Sequence, residues 1–335
     1  MNARILLFFL LVLIGLALLS VTMGRYDFSP VSSVTQLLRH FGWLSGNIDP
    51  MMTTIMLDVR LPRVIAAILI GAALAVSGTA FQAMFMNPLV SPGILGVLSG
   101  SAFGASLGIL WFDSLWMMQL FSFLFGMAAV LVTLLLASNQ TRNNLTLLVL
   151  GGMISGALFS ALLSIVKYVA DPYDKLPAIV YWLMGSLANV QDNLLIFVAP
   201  FILFGIILMA LQGHTLNLLS LGEDEAKTLG VSVETKRFHI IILATFLAAI
   251  TVSLGGMIGW VGLVIPHVAR LLLGADNRLL LPASALLGGI YLLMVDNLAR
   301  LMLSIEIPLG ILTALIGLPV FAWALRNVNK GWSNT

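Results

Sequence analysis

The side chains that could perform acid–base, nucleophilic or metal chemistry are few in this chain and do not form a catalytic pattern. There is no cysteine, which excludes thiol catalysis, thiolate metal sites and disulfides. The sequence contains no GxxxxGK[ST] phosphate loop, no HExxH helix and no serine-hydrolase elbow. We therefore predict that the chain is not an enzyme and binds no cofactor or metal itself. The histidines, which we interpret as polar residues in loops and at helix ends, are His40, His214, His239 and His267.

The composition places the chain in a lipid bilayer. Of its 335 residues, 60% are hydrophobic and 9% are charged, whereas soluble domains have about 45–50% apolar and about 25% charged residues. A fold with so little charge cannot cover its surface against water, so its apolar surface must face lipid. The net charge of +2 gives no indication of nucleic-acid binding.

Ten apolar runs have the length expected of membrane-spanning helices. They cover residues 5–24, 62–82, 93–110, 115–137, 145–167, 193–211, 238–255, 258–273, 281–302 and 307–326. The runs 93–110 and 258–273 are short, and short or Pro/Gly-interrupted spans often line a pathway. Residues 177–188 are apolar but too few to span, which predicts a half-helix that dips into the membrane from one side.

The distribution of Lys and Arg gives weak support for one orientation of the chain in the membrane. With ten spans both termini lie on one side, and placing them in the cytoplasm puts nine Lys/Arg inside and seven outside. The first run, 5–24, lacks a convincing cleavage site and is interpreted as a retained helix rather than a signal peptide. This arrangement makes 25–61 an outer segment and 212–237 the longest inner segment.

The inner segment 212–237 is the most polar part of the chain. Glu223–Glu225 suit the start of a short helix, where acidic side chains complement the helix dipole. Lys227 lies near its end, and Gly230 can adopt the left-handed conformation that stops a helix. Ser232 can cap a second short helix. Two interpretations remain open, a solvated loop with helical turns or a pair of surface helices offered to a cytoplasmic partner.

Charged side chains are nearly absent from the predicted spans. Asp296 and Arg300 lie four residues apart near the outer end of the ninth span, and we interpret them as a local ion pair at the membrane interface. Ion-coupled transporters keep carboxylates or histidines within the membrane, and no such relay is evident. With no nucleotide site either, the energy for any transport must come from outside the chain.

Several motifs, in order along nearly the whole chain, match one known family. They are Arg60-Leu-Pro-Arg63, Asn87-Pro-Leu89-Val-Ser-Pro92-Gly93, Gly259-Trp-Val-Gly262 with Pro266-His267, Asp296-Asn-Leu-Ala-Arg300, and Ile307-Pro308-Leu-Gly310. The chain resembles the permease subunit of type II ABC importers, which carry iron–siderophores, haem and cobalamin.

The resemblance implies an all-α integral membrane fold and a set of partners. Residues 1–335 would form a single permease domain with about ten transmembrane helices, both termini in the cytoplasm, and short cytoplasmic coupling helices. A second permease copy, most simply an identical one, would complete the path in a bacterial inner membrane. Two cytoplasmic ATP-binding subunits would use ATP and Mg²⁺, and a periplasmic substrate-binding protein would dock outside.

The resemblance also implies roles for individual residues. Outward-facing arginines would meet acidic side chains of the binding protein; the matching positions are Arg60, Arg63 and Arg300. A loop would seat in the ATP-binding subunit; its matching positions are Leu219, Gly222, Glu223, Asp224, Glu225, Ala226 and Gly230. At Glu225 this sequence departs from the alanine of the family pattern. Two turns would close the path on the cytoplasmic side; the matching positions are Asn87, Leu89, Asn144 and Leu145.

The leading hypothesis is therefore the permease of an ATP-driven importer that works by alternating access. An iron–siderophore is the favoured substrate because most of the family carries iron chelates, while haem, cobalamin or an oxyanion such as molybdate stay open. The alternative is a secondary transporter or channel that works alone, against which the lack of carboxylates within the spans argues.

Overall fold

A computed structural model describes residues 2–24, 29–40, 42–47, 49–112, 114–138 and 145–326. In these ranges the regular structure is helical, without a strand. The α-helices, in chain order, are α1 (Asn2–Thr22), α2 (Pro30–His40), α3 (Pro50–Thr54), α4 (Leu61–Phe85), α5 (Val97–Trp111), α6 (Leu115–Ser138), α7 (Leu145–Val169), α8 (Lys175–Leu183), α9 (Asp192–Leu211), α10 (Gly213–Leu219), α11 (Glu223–Thr228), α12 (Val233–Gly255), α13 (Val261–Leu273), α14 (Asn277–Leu301) and α15 (Leu309–Arg326). A π-helical turn, Ile55–Arg60, joins α3 to α4, and a 3-10 turn, Pro92–Leu95, precedes α5.

The predicted membrane spans are confirmed. Within the described residues, seven helices are long and apolar enough to cross a membrane, and three shorter apolar helices accompany them. Each of the ten apolar runs coincides with one helix to within a few residues. The expected half-helix is α8, whose nine residues are too few to cross a bilayer.

The outer segment 25–61 is more ordered than the sequence predicts. Together, α3, the π-helical turn and α4 form one continuous helix of 36 residues from Pro50 to Phe85. The last part of the expected loop therefore belongs to the second span. Asp49 begins this helix, because its carboxylate accepts hydrogen bonds from the backbone N–H groups of Met51 and Met52 at 3.0 and 3.3 Å. The charges at Asp58 and Arg60 suggested a loop, but both lie in the π-helical turn.

The central helix of the bundle is α4, which packs against α12, α13 and α14. Its closest approaches are made at glycines. A Cβ atom on Gly71 would overlap the carbonyl of Gly288 on α14, and a Cβ atom on Gly78 would overlap the backbone of Gly262 on α13. Membrane helices associate by close backbone packing, so these glycines fix how near α4 lies to its neighbours.

The inner segment 212–237 forms two short helices, α10 and α11, and then the first turn of α12. Gly230 has the left-handed φ of +81° that was predicted to stop a helix. The prediction for Ser232 is wrong: it precedes the long span α12, and its side chain makes no capping hydrogen bond. The second short helix is instead α10, on the other side of α11, where it packs against α4 and α14.

Candidate functional site

The outer end of the bundle, where α1 and α14 end and α4 begins, holds the three arginines expected to face a docking partner. Arg60, Arg63 and Arg300 are only 4%, 8% and 6% exposed. The three side chains are therefore largely covered by other parts of the chain. A buried cation needs hydrogen-bonding partners. Arg60 and Arg63 find theirs on segments far away in the sequence, and Arg300 contacts both the distant end of α1 and Asp296 on its own helix. Their role in docking stays a prediction.

Arg63 lies between two carboxylates. Its Nε donates to Oδ1 and Oδ2 of Asp296 at 2.9 and 3.2 Å, and its Nη2 lies 2.9 Å from Oδ1. Its Nη1 donates to Oε1 of Glu306 at 3.0 Å and lies 2.9 Å from Oε2. The predicted Asp296–Arg300 ion pair is present at 3.2 Å. It is not at the water interface, however, because Asp296 is fully buried.

The other two arginines cap the C-terminal end of α1. The last carbonyl groups of a helix lack partners within it and carry partial negative charge, so cations are favourable there. Arg60 and Arg300 reach these carbonyls from different helices, at distances of 2.8 to 3.3 Å. The accepting carbonyls are those of Ser20, Val21, Thr22 and Met23.

We call Arg60, Arg63, Asp296, Arg300 and Glu306 the outer cluster. Three guanidinium groups and two carboxylates leave it with one net positive charge. Its contacts join the end of α1, the start of α4, the end of α14 and the connection between α14 and α15. The outer cluster therefore fixes the relative positions of four segments at the outer rim.

At the inner end, α11 is tied to the long span α12 by charge. Glu223, the first residue of α11, accepts hydrogen bonds from Lys227 at 2.7 Å and from Arg237 of α12 at 2.9 Å. The hydrogen bond from Lys227 lowers the pKa of Glu223 below its ordinary value, and the Arg237 guanidinium adds to this effect. Glu223 thus remains ionised at neutral pH and keeps α11 on α12.

A second joint ties α10 to the start of α14. The side chain of Asn217 donates to Asp276 at 2.7 Å and accepts from the backbone and side-chain nitrogens of Asn277 at 2.8 and 2.9 Å. Hydrogen bonds from Arg278 and Asn217 lower the pKa of Asp276 to about 2. The two short helices are therefore each bonded to a different membrane-spanning helix.

Part of the surface of the short helices is exposed in the chain by itself. Of the predicted coupling residues, Leu219 and Ala226 are buried against the bundle, while Asp224 and Glu225 are exposed. Gly222 and Gly230 flank α11 with positive φ angles. Sequence reasoning missed two exposed leucines beside these acidic residues. They are Leu221 and Leu229, and apolar residues in so polar a segment were the signal for them.

The predicted cytoplasmic gate is only partly described. The Asn87 side chain accepts from the backbone N–H of Leu89 at 2.9 Å, which shapes a tight turn and leaves the Leu89 side chain exposed. Leu145 begins α7 and is partly exposed. The helix that it begins packs against the 3-10 turn that follows Leu89. Asn144 lies outside the described residues.

The described part of the chain contains no group of three or more His, Asp or Glu side chains that could hold a metal ion. One histidine departs from its predicted boundary position. His267 is buried on α13, with its ring 6.2 Å from that of Phe321. It belongs to the helix packing rather than to a polar edge.

A bundle of membrane-spanning helices with a buried charged cluster at one end and short, partly exposed helices at the other has the architecture of a transporter's membrane subunit. The model of the FecCD transport family matches residues 10–327, and the chain belongs to this family. It is 44% identical to the molybdate import system permease protein MolB of Haemophilus influenzae over 328 residues, which are 97% of this chain and 96% of MolB. It is 39% identical to the hemin transport system permease protein HmuU of Yersinia pestis over 324 residues, 95% of this chain and 94% of HmuU.

The solved structures agree with this assignment. A metal-chelate type ABC transporter in an inward-facing conformation matches with a TM-score of 0.87 and 41% identity, over 97% of this chain and 99% of that chain. The resemblance, the all-α membrane fold and the function as the permease subunit of an ABC importer are thereby confirmed.

Proposed function

We propose that residues 1–335 form one permease domain of an importer in a bacterial inner membrane, which moves a metal-containing solute into the cytoplasm. The observation that carries the proposal is the pair of short inner helices. Each is bonded to a different membrane span, α11 to α12 through Glu223–Arg237 and α10 to α14 through Asn217–Asp276. A force applied to this pair reaches the bundle through two separate joints.

The force would come from two cytoplasmic ATP-binding subunits. Leu221 and Leu229 offer apolar contact area, and Asp224 and Glu225 add negative charge, so a groove with apolar walls and a basic rim suits this surface. ATP and Mg²⁺ would be held by those subunits. A second copy of this chain would complete the path, in keeping with its membership of a family of importer permeases.

Transport would proceed by alternating access. Closure of the ATP-binding subunits would move α10 and α11, and the two joints would tilt α12 and α14 against α4. The turns at Asn87–Leu89 and at Asn144–Leu145 would open or close the inner mouth. On the outer side, a substrate-binding protein with acidic side chains would dock at the rim held by the outer cluster.

The substrate class follows from the relatives. Hemin and molybdate, for which two of them are named, differ in size and charge but each contains a metal. An iron chelate is the first candidate because of the family, and the MolB similarity over 97% of the chain makes molybdate the second. The experiment is uptake into vesicles that contain this chain with its ATP-binding subunits, supplied with binding protein and radioactive ferric siderophore, hemin or molybdate.

Uptake that requires ATP and binding protein supports the proposal, and the transported solute identifies the substrate. Uptake by this chain alone, without ATP, would instead establish the stand-alone transporter. Contact between the exposed part of α11 and the ATP-binding subunits is tested by Glu225→Lys, which should weaken copurification of these subunits. Asp174→Lys, the same charge change at an exposed residue of the outer side, is the matched control and should leave copurification unchanged.

A further inference from the structure

The two carboxylates that hold Arg63 are not equivalent. Asp296 has no exposed side-chain surface, whereas the Glu306 side chain is 25% exposed. Asp296 is also shared with Arg300, at 3.2 Å, while Arg63 is the one residue with which Glu306 forms an ion pair in the described part of the chain. Of the two carboxylates, Glu306 can therefore leave Arg63 at the lower cost.

Every nitrogen of the Arg63 guanidinium is already in contact with a carboxylate. Nε and Nη2 contact Asp296, and Nη1 contacts both oxygens of Glu306, all at 2.9 to 3.2 Å. Arginine binds a carboxylate best with two parallel N–H groups. Because the Arg63 side chain is only 10% exposed, an external carboxylate gains two parallel N–H groups most directly by taking the place of one that is already bound.

Glu306 lies on a short exposed connection. Leu303 and Ile305, just before it, are 60% and 79% exposed. Just after it, Ile307 N–H donates to the carbonyl of Ala299 at 3.2 Å, and Leu309 N–H donates to that of Gly185 at 2.9 Å. The backbone is therefore hydrogen-bonded at residues 307 and 309, and the Glu306 side chain ties this connection to the outer cluster through Arg63.

We propose that Glu306 occupies on Arg63 the place of a partner's carboxylate, and that an aspartate or glutamate of a docking protein displaces it. The inference rests on the proposed docking of a binding protein at the outer rim. Once Glu306 swings away, Arg63 keeps only the Asp296 carboxylate, which Arg300 also contacts, and this favours an incoming acidic side chain. Docking then also releases the connection between α14 and α15.

The direct test is the affinity of the permease–ATPase complex, in lipid nanodiscs, for the substrate-binding protein that copurifies with it. Glu306→Gln keeps the shape of the side chain and removes its charge, so the partner no longer competes with a carboxylate. The affinity is expected to rise about fivefold, the equivalent of one partly exposed ion pair. Asp174→Asn removes one negative charge from an exposed outer residue and is expected to leave the affinity unchanged. An unchanged or weaker affinity of Glu306→Gln would overturn the inference.

A second measurement follows the connection itself. Because the chain has no cysteine, Ser304→Cys provides a single site for a nitroxide spin label two residues from Glu306. The label should become more mobile when binding protein is added, and it should be equally mobile without binding protein when Glu306→Gln is also present. A label whose mobility is the same in all these samples overturns the displacement.

The two proposals fail in different ways. If the complex with the natural sequence does not bind the binding protein at all, the docking function is refuted and the displacement with it. If it binds, but Glu306→Gln changes neither affinity nor label mobility, docking stands and only the role of Glu306 is refuted.

Discussion

Replacing Asp296 with asparagine removes the carboxylate that Arg63 and Arg300 share inside the protein. Asp296 is fully buried and lies 2.9 to 3.2 Å from the nitrogens of both guanidinium groups. Removing one partner of a buried ion pair costs about 3–5 kcal/mol, because the remaining charge stays in a medium of low polarity. With an unfolding entropy of roughly 2.1 cal/mol/K per residue, the 335 residues give about 0.7 kcal/mol/K. The expected fall in melting temperature is therefore about 4–7 °C.

The assay is thermal unfolding of the purified chain in detergent, followed by the fluorescence of its seven tryptophans. Glu306→Gln is the matched control, since it also removes a carboxylate from Arg63 but from a partly exposed position. It should cost less than about 1 kcal/mol. Combining Arg63→Leu with Asp296→Leu should cost less than the sum of the two single changes, because it removes both members of the pair.

Two results would refute this reasoning. Equal melting temperatures for Asp296→Asn and Glu306→Gln would mean that burial of the carboxylate has no energetic consequence. Additive losses for the Arg63→Leu and Asp296→Leu changes would mean that the two side chains do not stabilise each other, and that the outer cluster is no structural joint.

Three further predictions concern other parts of the bundle. Gly71→Ala should destabilise the chain by about 1–3 kcal/mol, because the added methyl group would overlap Gly288. Gly15→Ala, in open space on α1, should leave the stability unchanged. Thermal unfolding measures both. Asn217→Leu should reduce ATP-dependent uptake while ATP hydrolysis by the assembled complex continues, since it breaks the joint between α10 and α14. Because the pKa of Asp276 is depressed from 3.8 to about 2 in the fold, its stabilising contribution is complete above about pH 4 and is lost as the pH falls toward 2. The difference in melting temperature between the natural chain and Asp276→Asn should therefore shrink as the pH is lowered from 7 to 3.

The membrane spans were predictable because hydrophobic length is a local property. Each of the ten apolar runs coincides with a helix, and the short polar segment at 212–237 was correctly expected to contain helical turns. The start of the second span was predicted too late, at residue 62, because the prediction considered only the local charges. Asp58 and Arg60 look like loop residues when only their own charge is considered, yet they lie within a continuous helix.

Apart from the Asp296–Arg300 pair, the contacts of the outer cluster could not be predicted, because their partners are far apart in the sequence. Arg63 and Glu306 are separated by 243 positions, and no local pattern indicates that they meet. Arg60 likewise appears exposed in the sequence, since nothing near it shows that the end of α1 will supply carbonyl acceptors. The motif at Arg60–Arg63 marked the correct place, but the burial of the side chains depends on tertiary contacts alone.

The π-helical turn Ile55–Arg60 affects how the length of this region can vary. A π turn holds one residue more than the α-helix around it, so the segments on both sides keep their facing directions. Removal of one residue from 55–60 would leave an ordinary α-helix, with α3 and α4 oriented as before. The Gln36 side chain of α2 would still donate its hydrogen bond to the carbonyl of Asp49. Removal of one residue from the middle of α4 would instead turn everything before it by about 100°. The turn is thus the position in this span where related chains can differ by one residue and still present the same outer surface.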